Sequence, residues 1–295
     1  MRRTAEINSI RKRIRKQMRK TIVAIGGGDI RTRGTAAIDR EIIRLSGKKH
    51  PKLLFIPTAS SDSERYWKHV QKYFGEFLKC KTDVLFLVNE PPSRDQIRRK
   101  ILWADIVYVG GGNTLLMMRV WRRLGVDQLL KTAYDKGTVL SGISAGAICW
   151  FDSGHSDSMS FYNPQEWEYI NVKGLGLVKG IHCPHYNGMT RRVPRRRAFR
   201  EMIQKTGGIG IAIENNCAIA FIGGKILQSS ELQTLCARLQ TLSTRRRGDY
   251  RANPPDKRTC AGKVPGFLKP NEPGVRARIG TLRHEPQTRF STCCG

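Results

Sequence analysis

Short apolar runs that end in glycine or proline, alternating with stretches of helical periodicity, constrain this 295-residue chain more than any other feature. Ile22–Ile25 runs into Gly26-Gly27-Gly28, Leu53–Ile56 into Pro57, and Ile106–Val109 into Gly110-Gly111-Gly112. Val84–Val88 is a further run, and Val139-Leu140 leads into a glycine-bounded turn at Ser144. Between these runs, Ile38, Ile42 and Leu45 mark one helix face behind Thr35. Tyr66, Trp67, Val70, Tyr73, Phe74 and Phe77 mark another, and Ser93 with Gln96 is a capping-box signature for a helix through Ile97 and Ile101. Apolar strands each followed by a helix imply βαβ units and a parallel sheet covered on both faces. After residue 207 the pattern changes, and Ile209–Ile213, Glu214-Asn215-Asn216 and Cys217–Ile222 read as an antiparallel meander.

Charge divides the chain into three parts. The net charge is +29, of which residues 1–20 and 229–295 carry +8 each. The expected organisation is a basic N-terminal extension (1–20), a folded domain (21–228) and a basic, atypical, poorly ordered tail (229–295). Such a tail could also come from a shifted reading frame or a fused segment. A charge of this size suits a polyanion. No aromatic-interleaved RNA motif or helix-turn-helix accompanies it, so nucleic acid is not the expected partner. No apolar run reaches the ~18 residues that span a bilayer, and the basic N-terminus lacks a secretory apolar stretch. No membrane partner is expected, and the cytosol is the expected compartment. The eight cysteines form no C-x-x-C pair and match no zinc spacing; Cys149 and Cys217 read as core residues. No metal and no cofactor is expected.

Gly142-Ile143-Ser144-Ala145-Gly146 is a G-x-S-x-G turn between a strand and an apolar helical segment. Glycine on either side relieves the strained backbone of a nucleophile held on a sharp strand-to-helix turn. The serine needs a base. His185, in Cys183-Pro184-His185-Tyr186-Asn187 after a strand-like run, falls where a loop faces such a turn. His182, inside that run, reads as a core histidine, His155 is a further candidate, and His284 lies in the tail. Asp157 leads the candidates for the acid that orients the base, with Asp152, Glu166 and Glu168 as alternatives. Ala145 N–H and the Gly110–Thr114 loop are placed to supply oxyanion donors. Gly26–Arg31 breaks the dinucleotide-binding pattern, and no Gly-Lys-Ser/Thr follows Gly112, so nucleotide chemistry is a minor reading.

Val-Gly-Gly-Gly-Asn-Thr at 109–114, Gly-Ile-Ser-Ala-Gly-Ala at 142–147 and Pro-His-Tyr at 184–186, in this order, resemble peptidase family S51, which includes dipeptidase E and cyanophycinase. The resemblance covers about residues 20 to 228. It implies an α/β three-layer sandwich with a mostly parallel sheet, class I glutamine-amidotransferase-like, with serine in place of cysteine. It implies a serine peptidase hydrolysing short peptides, Asp-X dipeptides among them, through a Ser-His-Asp/Glu triad and an acyl-enzyme. Position by position, Ser144 matches the nucleophile, His185 the base, Asp157 the acid, and Gly112 and Ala145 the oxyanion donors. Glu166 stays open, because some members use glutamate. Thr190-Arg191 matches a pair that holds an acidic substrate side chain, and Asn113 joins them as a substrate-binding residue. The implied partners are a short, acidic peptide substrate and a second copy of the chain. Two other readings stand beside this one. An esterase would use a later histidine such as His284, and a degenerate or nucleic-acid-binding protein would keep only the scaffold.

Overall fold

The computed structural model describes residues 20–190, 192–227, 240–245 and 249–252. Five parallel strands form the centre of a seven-stranded sheet: β1 (Thr21–Ile25), β2 (Lys52–Ile56), β3 (Lys81–Val84), β4 (Ile106–Val109) and β5 (Val139–Ile143). Their spatial order is β1-β5-β4-β2-β3. Side chains alternate between two apolar faces. Ile22, Ala24, Leu54, Ile56, Val107 and Val109 face the core under the helices Arg94–Trp103, Thr114–Leu124 and Val126–Lys136. Val23, Ile25, Leu53, Phe55, Ile106 and Tyr108 face the core under Ala36–Leu45 and Glu64–Phe77. Both faces are apolar because helices cover both, as the continuous runs predict. The layered α/β architecture is the expected one. The capping box at Ser93 and Gln96 is formed in both directions. Thr35 makes no cap bond; its hydroxyl donates to the buried Asp39 carboxylate at 2.8 Å. Among the described residues, no helix is long and apolar enough to cross a membrane.

The structure departs from the sequence reading after the Ser144 turn. The helix there is one turn, Ala145–Ile148, and Phe151–Ser156 then forms β6 of a second sheet. That sheet holds β6, β7 (Ile170–Lys173), β8 (Val178–Cys183) and β11 (Ile209–Ala212), with β9 (Met189–Thr190) and β10 (Val193–Pro194) as a separate small hairpin. β8 lies parallel between β6 and β11. The expected meander is not formed. β11 pairs with β8, whereas β12 (Ala218–Ile222) crosses to the first sheet and pairs antiparallel with β1. The reason is burial: Ile211 and Ile213 fill the core between the sheets, whereas Ala218 and Ala220 pack on the outer face of the first. β13 (Lys225–Leu227) extends that sheet beside β12. Within the tail, β14 (Gln240–Arg245) and β15 (Asp249–Ala252) continue the second sheet beyond β11. The rest of 229–295, the helical turn expected near Leu232–Leu239 included, lies outside the described residues, as do residues 1–19. Cys149 is fully buried, and Cys217 is partly buried against the same core.

Three buried ionisable groups tie this fold to pH. Burial pushes the His155 and His182 imidazoles down to about 3. Burial pushes the Asp39 carboxyl up to about 7, against the hydrogen bonds from Thr35 and Tyr73. Between about pH 6.5 and 3 the unfolded histidines hold protons that the folded ones do not, so stability falls as pH falls. Asp39 opposes this between about pH 4 and 7, because its proton belongs to the folded state. The two core histidines together outweigh this one carboxyl. Stability, and the melting temperature with it, is therefore expected to fall from about pH 6.5 toward pH 4. Thermal melts across that range check this; a flat profile would contradict it.

Candidate active site

Ser144 has φ 57° and ψ −113°, a conformation that L-residues avoid. The turn is held by its neighbours. A Cβ on Gly142 would lie 2.2 Å from the Gly146 carbonyl oxygen, and one on Gly146 would lie 2.2 Å from that of Val109. The Ser144 N–H donates to the Ile25 carbonyl at 3.0 Å, pinning the turn to the end of β1. Both glycines of the G-x-S-x-G motif are therefore steric necessities.

His185 is also left-handed, with φ 50°, in the loop after β8. Its N–H donates to the Gly26 carbonyl at 2.9 Å. Its Nε2 lies 2.8 Å from Ser144 Oγ, and its Nδ1 lies 2.6 Å from Asn215 Oδ1. An amide oxygen only accepts, so Nδ1 carries the proton and the Nε2 lone pair faces the hydroxyl. The arrangement can take a proton from Ser144. Burial, and then the Arg195 charge, hold the His185 pKa below its ordinary value, against the Asn215 hydrogen bond and Asp157.

Asn215 follows β11, in the polar turn between the two sheets. The Asn187 side chain accepts its N–H at 3.0 Å, and the Asn216 N–H donates to the Gly27 carbonyl at 2.8 Å. A Cβ on Gly27 would lie 2.1 Å from Asn215 Oδ1 and 2.2 Å from His185 Nδ1. The Gly26–Gly28 loop, read from sequence only as a failed nucleotide motif, is the backbone wall behind this hydrogen bond. Sequence reasoning missed Asn215. The signal available was a Glu-Asn-Asn turn closing the strand after the histidine loop.

The Gly110–Gly112 loop passes the other side of Ser144. A Cβ on Gly111 would lie 3.3 Å from Ser144 Cβ, and Gly112 is held at φ 135° with the Ala59 carbonyl beneath it. The Ala145 N–H opens the one-turn helix, where such donors have no intrahelical partner. Asn113 is buried and caps the next helix, its Oδ1 accepting from the Leu116 N–H at 3.0 Å. That bond commits Asn113 to the helix end. A cleft of about 460 Å³ lies between Gly28–Arg31 and Ser63, Arg65, Tyr66 and His69. Tyr66 forms its wall against Gly110, and burial pushes its phenol up to about 12.

Asp157 does not meet His185. It follows β6, on the flank of β8 opposite β11, and its carboxylate accepts from Arg195 Nη2 and from Thr190 Oγ1. The acid expected behind the base is thus bound elsewhere, because a buried arginine captures it. Glu166 is exposed on the following loop, its N–H donating to Asn163 Oδ1. Asp152 accepts from Lys179 and from the Gly180 N–H. Arg191 lies outside the described residues. His182 is a core residue, its Nδ1 2.9 Å from the Ile211 carbonyl and its ring stacked on Phe151. His155 stacks on Tyr169 at 4.1 Å. Among the described residues, no cluster of three His, Cys, Asp or Glu side chains could hold a metal ion.

Known proteins share this architecture. The chain is 36% identical over 214 residues to the uncharacterized peptidase YgaJ of Bacillus subtilis, covering 71% of this chain and 86% of that protein. It is 29% identical over 163 residues to the peptidase E of a Nostoc species, covering 52% of this chain and 62% of that protein. The fold matches the crystal structure of a peptidase from an acI-B1 Actinobacterium with a TM-score of 0.53 at 18% identity, over 76% of this chain and 89% of that one. The model of peptidase family S51 matches residues 22–229. The chain belongs to peptidase family S51.

Proposed function

We propose that the chain is a serine peptidase of short peptides, with Ser144 as nucleophile, His185 as general base and Asn215 as the residue that orients it. The observation that carries this reading is the 2.8 Å contact between His185 Nε2 and Ser144 Oγ on a strained strand-to-helix turn. His185 takes the hydroxyl proton as Oγ attacks the scissile carbonyl. The oxyanion that forms meets the N–H groups of Ala145 and of the Gly111–Gly112 segment. His185 then protonates the leaving amine, and water attacks the acyl-enzyme by the same route in reverse. Arg65 and His69 give the cleft donors suited to the terminal carboxylate of a short peptide.

An amide behind the base fixes the imidazole tautomer but adds no negative charge to offset the imidazolium, as in Cys-His-Asn peptidases. The depressed His185 pKa keeps the base neutral into mildly acidic solution.

Ser144→Ala is expected to abolish peptide hydrolysis while the melting temperature holds; unchanged turnover in a dipeptide panel would refute the proposal. The base works when neutral, so the acid limb of kcat/KM is expected below about pH 6.5, the ordinary histidine value. Asn215→Asp places a negative charge against Nδ1 and is expected to move that limb to higher pH. Asn215→Ala is expected to lower kcat about 10²-fold with little change in KM, through a misaligned base. Steady-state kinetics over pH for the unmodified protein and the two Asn215 variants read these last effects.

A further inference from the structure

Outside the Ser144–His185–Asn215 line, the most unusual chemistry is the ion pair on the β6 flank. The Arg195 side chain is 5% exposed and that of Asp157 is 23% exposed. The guanidinium lies over the Tyr169 ring, 5.2 Å from its centroid, and its Nη1 is buried with no hydrogen-bond partner. Nη2 alone reaches Asp157, and Thr190 Oγ1 donates to the same carboxylate oxygen at 3.4 Å. A buried arginine and a threonine hydroxyl converging on one carboxylate form a carboxylate clamp, and the chain itself supplies the occupant.

The clamp sits between the two loops that carry the reactive groups. Ser156 Oγ and Ser158 Oγ, on either side of Asp157, bond Thr114 Oγ1 and the Leu115 N–H, directly after the Gly110–Asn113 loop. From the other side, the Arg195 N–H donates to the Gly188 carbonyl, and the Gly188 N–H donates to that of His185. The charges of both Arg195 and Asp157 are felt at His185.

We propose that Asp157 is a specificity-determining residue: it occupies the Arg195–Thr190 clamp in place of a substrate carboxylate and so directs the site away from peptides with acidic side chains. An acidic substrate side chain reaching this flank meets a carboxylate at the partly exposed rim, and the cation that could have held it is already engaged. Discrimination of this kind comes from a repulsive group placed against the wrong ligand. Removing the Asp157 carboxylate empties the clamp and leaves a buried cation without its counter-charge, which an external carboxylate can then replace.

The kinetic part of the test rests on the peptidase reading, whereas the binding part does not. In the Ser144→Ala background, Asp157→Ala is expected to melt at a lower temperature in carboxylate-free buffer. Acetate or formate should recover that loss saturably, and the parent carrying Asp157 should show no such response. In catalytically intact protein, kcat/KM for dipeptides containing Asn is expected to exceed that for their Asp isosteres at least tenfold. Asp157→Asn should narrow that ratio at least tenfold. A purely structural ion pair would lower stability without moving the Asp/Asn ratio. Equal turnover of Asp and Asn dipeptides by the unmodified protein would overturn the proposal, and this measurement needs no variant to fold. Acetate-insensitive melting of the Ser144→Ala, Asp157→Ala protein would overturn it too. Activity that survived Ser144→Ala would instead refute the peptidase mechanism and leave the binding result standing.

Discussion

The site depends on a place where a side chain is missing. Gly27 lies so close to the His185 ring and to the Asn215 amide that even a methyl group would overlap both. Around this contact, the loop after β1 accepts backbone hydrogen bonds from His185 and from Asn216, and the end of β1 accepts the Ser144 N–H. Three segments far apart in sequence are thus indexed to one strand end. The 2.8 Å and 2.6 Å contacts along the Ser144–His185–Asn215 line follow from that indexing rather than from local preference. His185 and Ser144 both hold left-handed backbones, and such strain persists only where the surroundings over-determine the conformation.

Much of the architecture was legible in the chain because local chemistry decides it. β1, β2, β4 and β5 announce themselves as apolar runs closed by glycine or proline, whereas the Val84–Val88 run only begins at the last residue of β3, Lys81–Val84; the Ser93 capping box forms as its two residues dictate. Ser144, His185 and the Gly110–Gly112 loop were also legible, since each sits at a strand end in a motif whose steric logic is visible in sequence. The second sheet was not. Ile209–Ile213 and Cys217–Ile222 look like a hairpin locally, and only packing sends one to β8 and the other to β1. The same long-range choice decides what stands behind the base. β6 and β11 flank β8, so Asp157 and Asn215 end up on either side of the loop that carries His185. Nothing local to either residue says which will face Nδ1.

That choice has an electrostatic logic. A carboxylate behind the imidazole would raise its basicity, and here that charge is spent on Arg195 instead. Around His185, burial and the Arg195 cation disfavour the imidazolium, and the Asn215 hydrogen bond and the Asp157 charge offset them only in part. In the mechanism proposed above, such surroundings favour a neutral base over a stabilised ion pair in the transition state.

The crossing of the segment 209–222 from the second sheet to the first has a consequence in time. Asn215 lies at the crossing point, between β11 of the second sheet and β12 of the first. As the chain emerges from N- to C-terminus, Ser144 and His185 are both present before either β11 or β12 can dock. The Asn215 amide beside the imidazole therefore owes its position to both sheets. In the proposed mechanism, the residue that orients the base is thus placed by the same chain crossing that joins the two sheets.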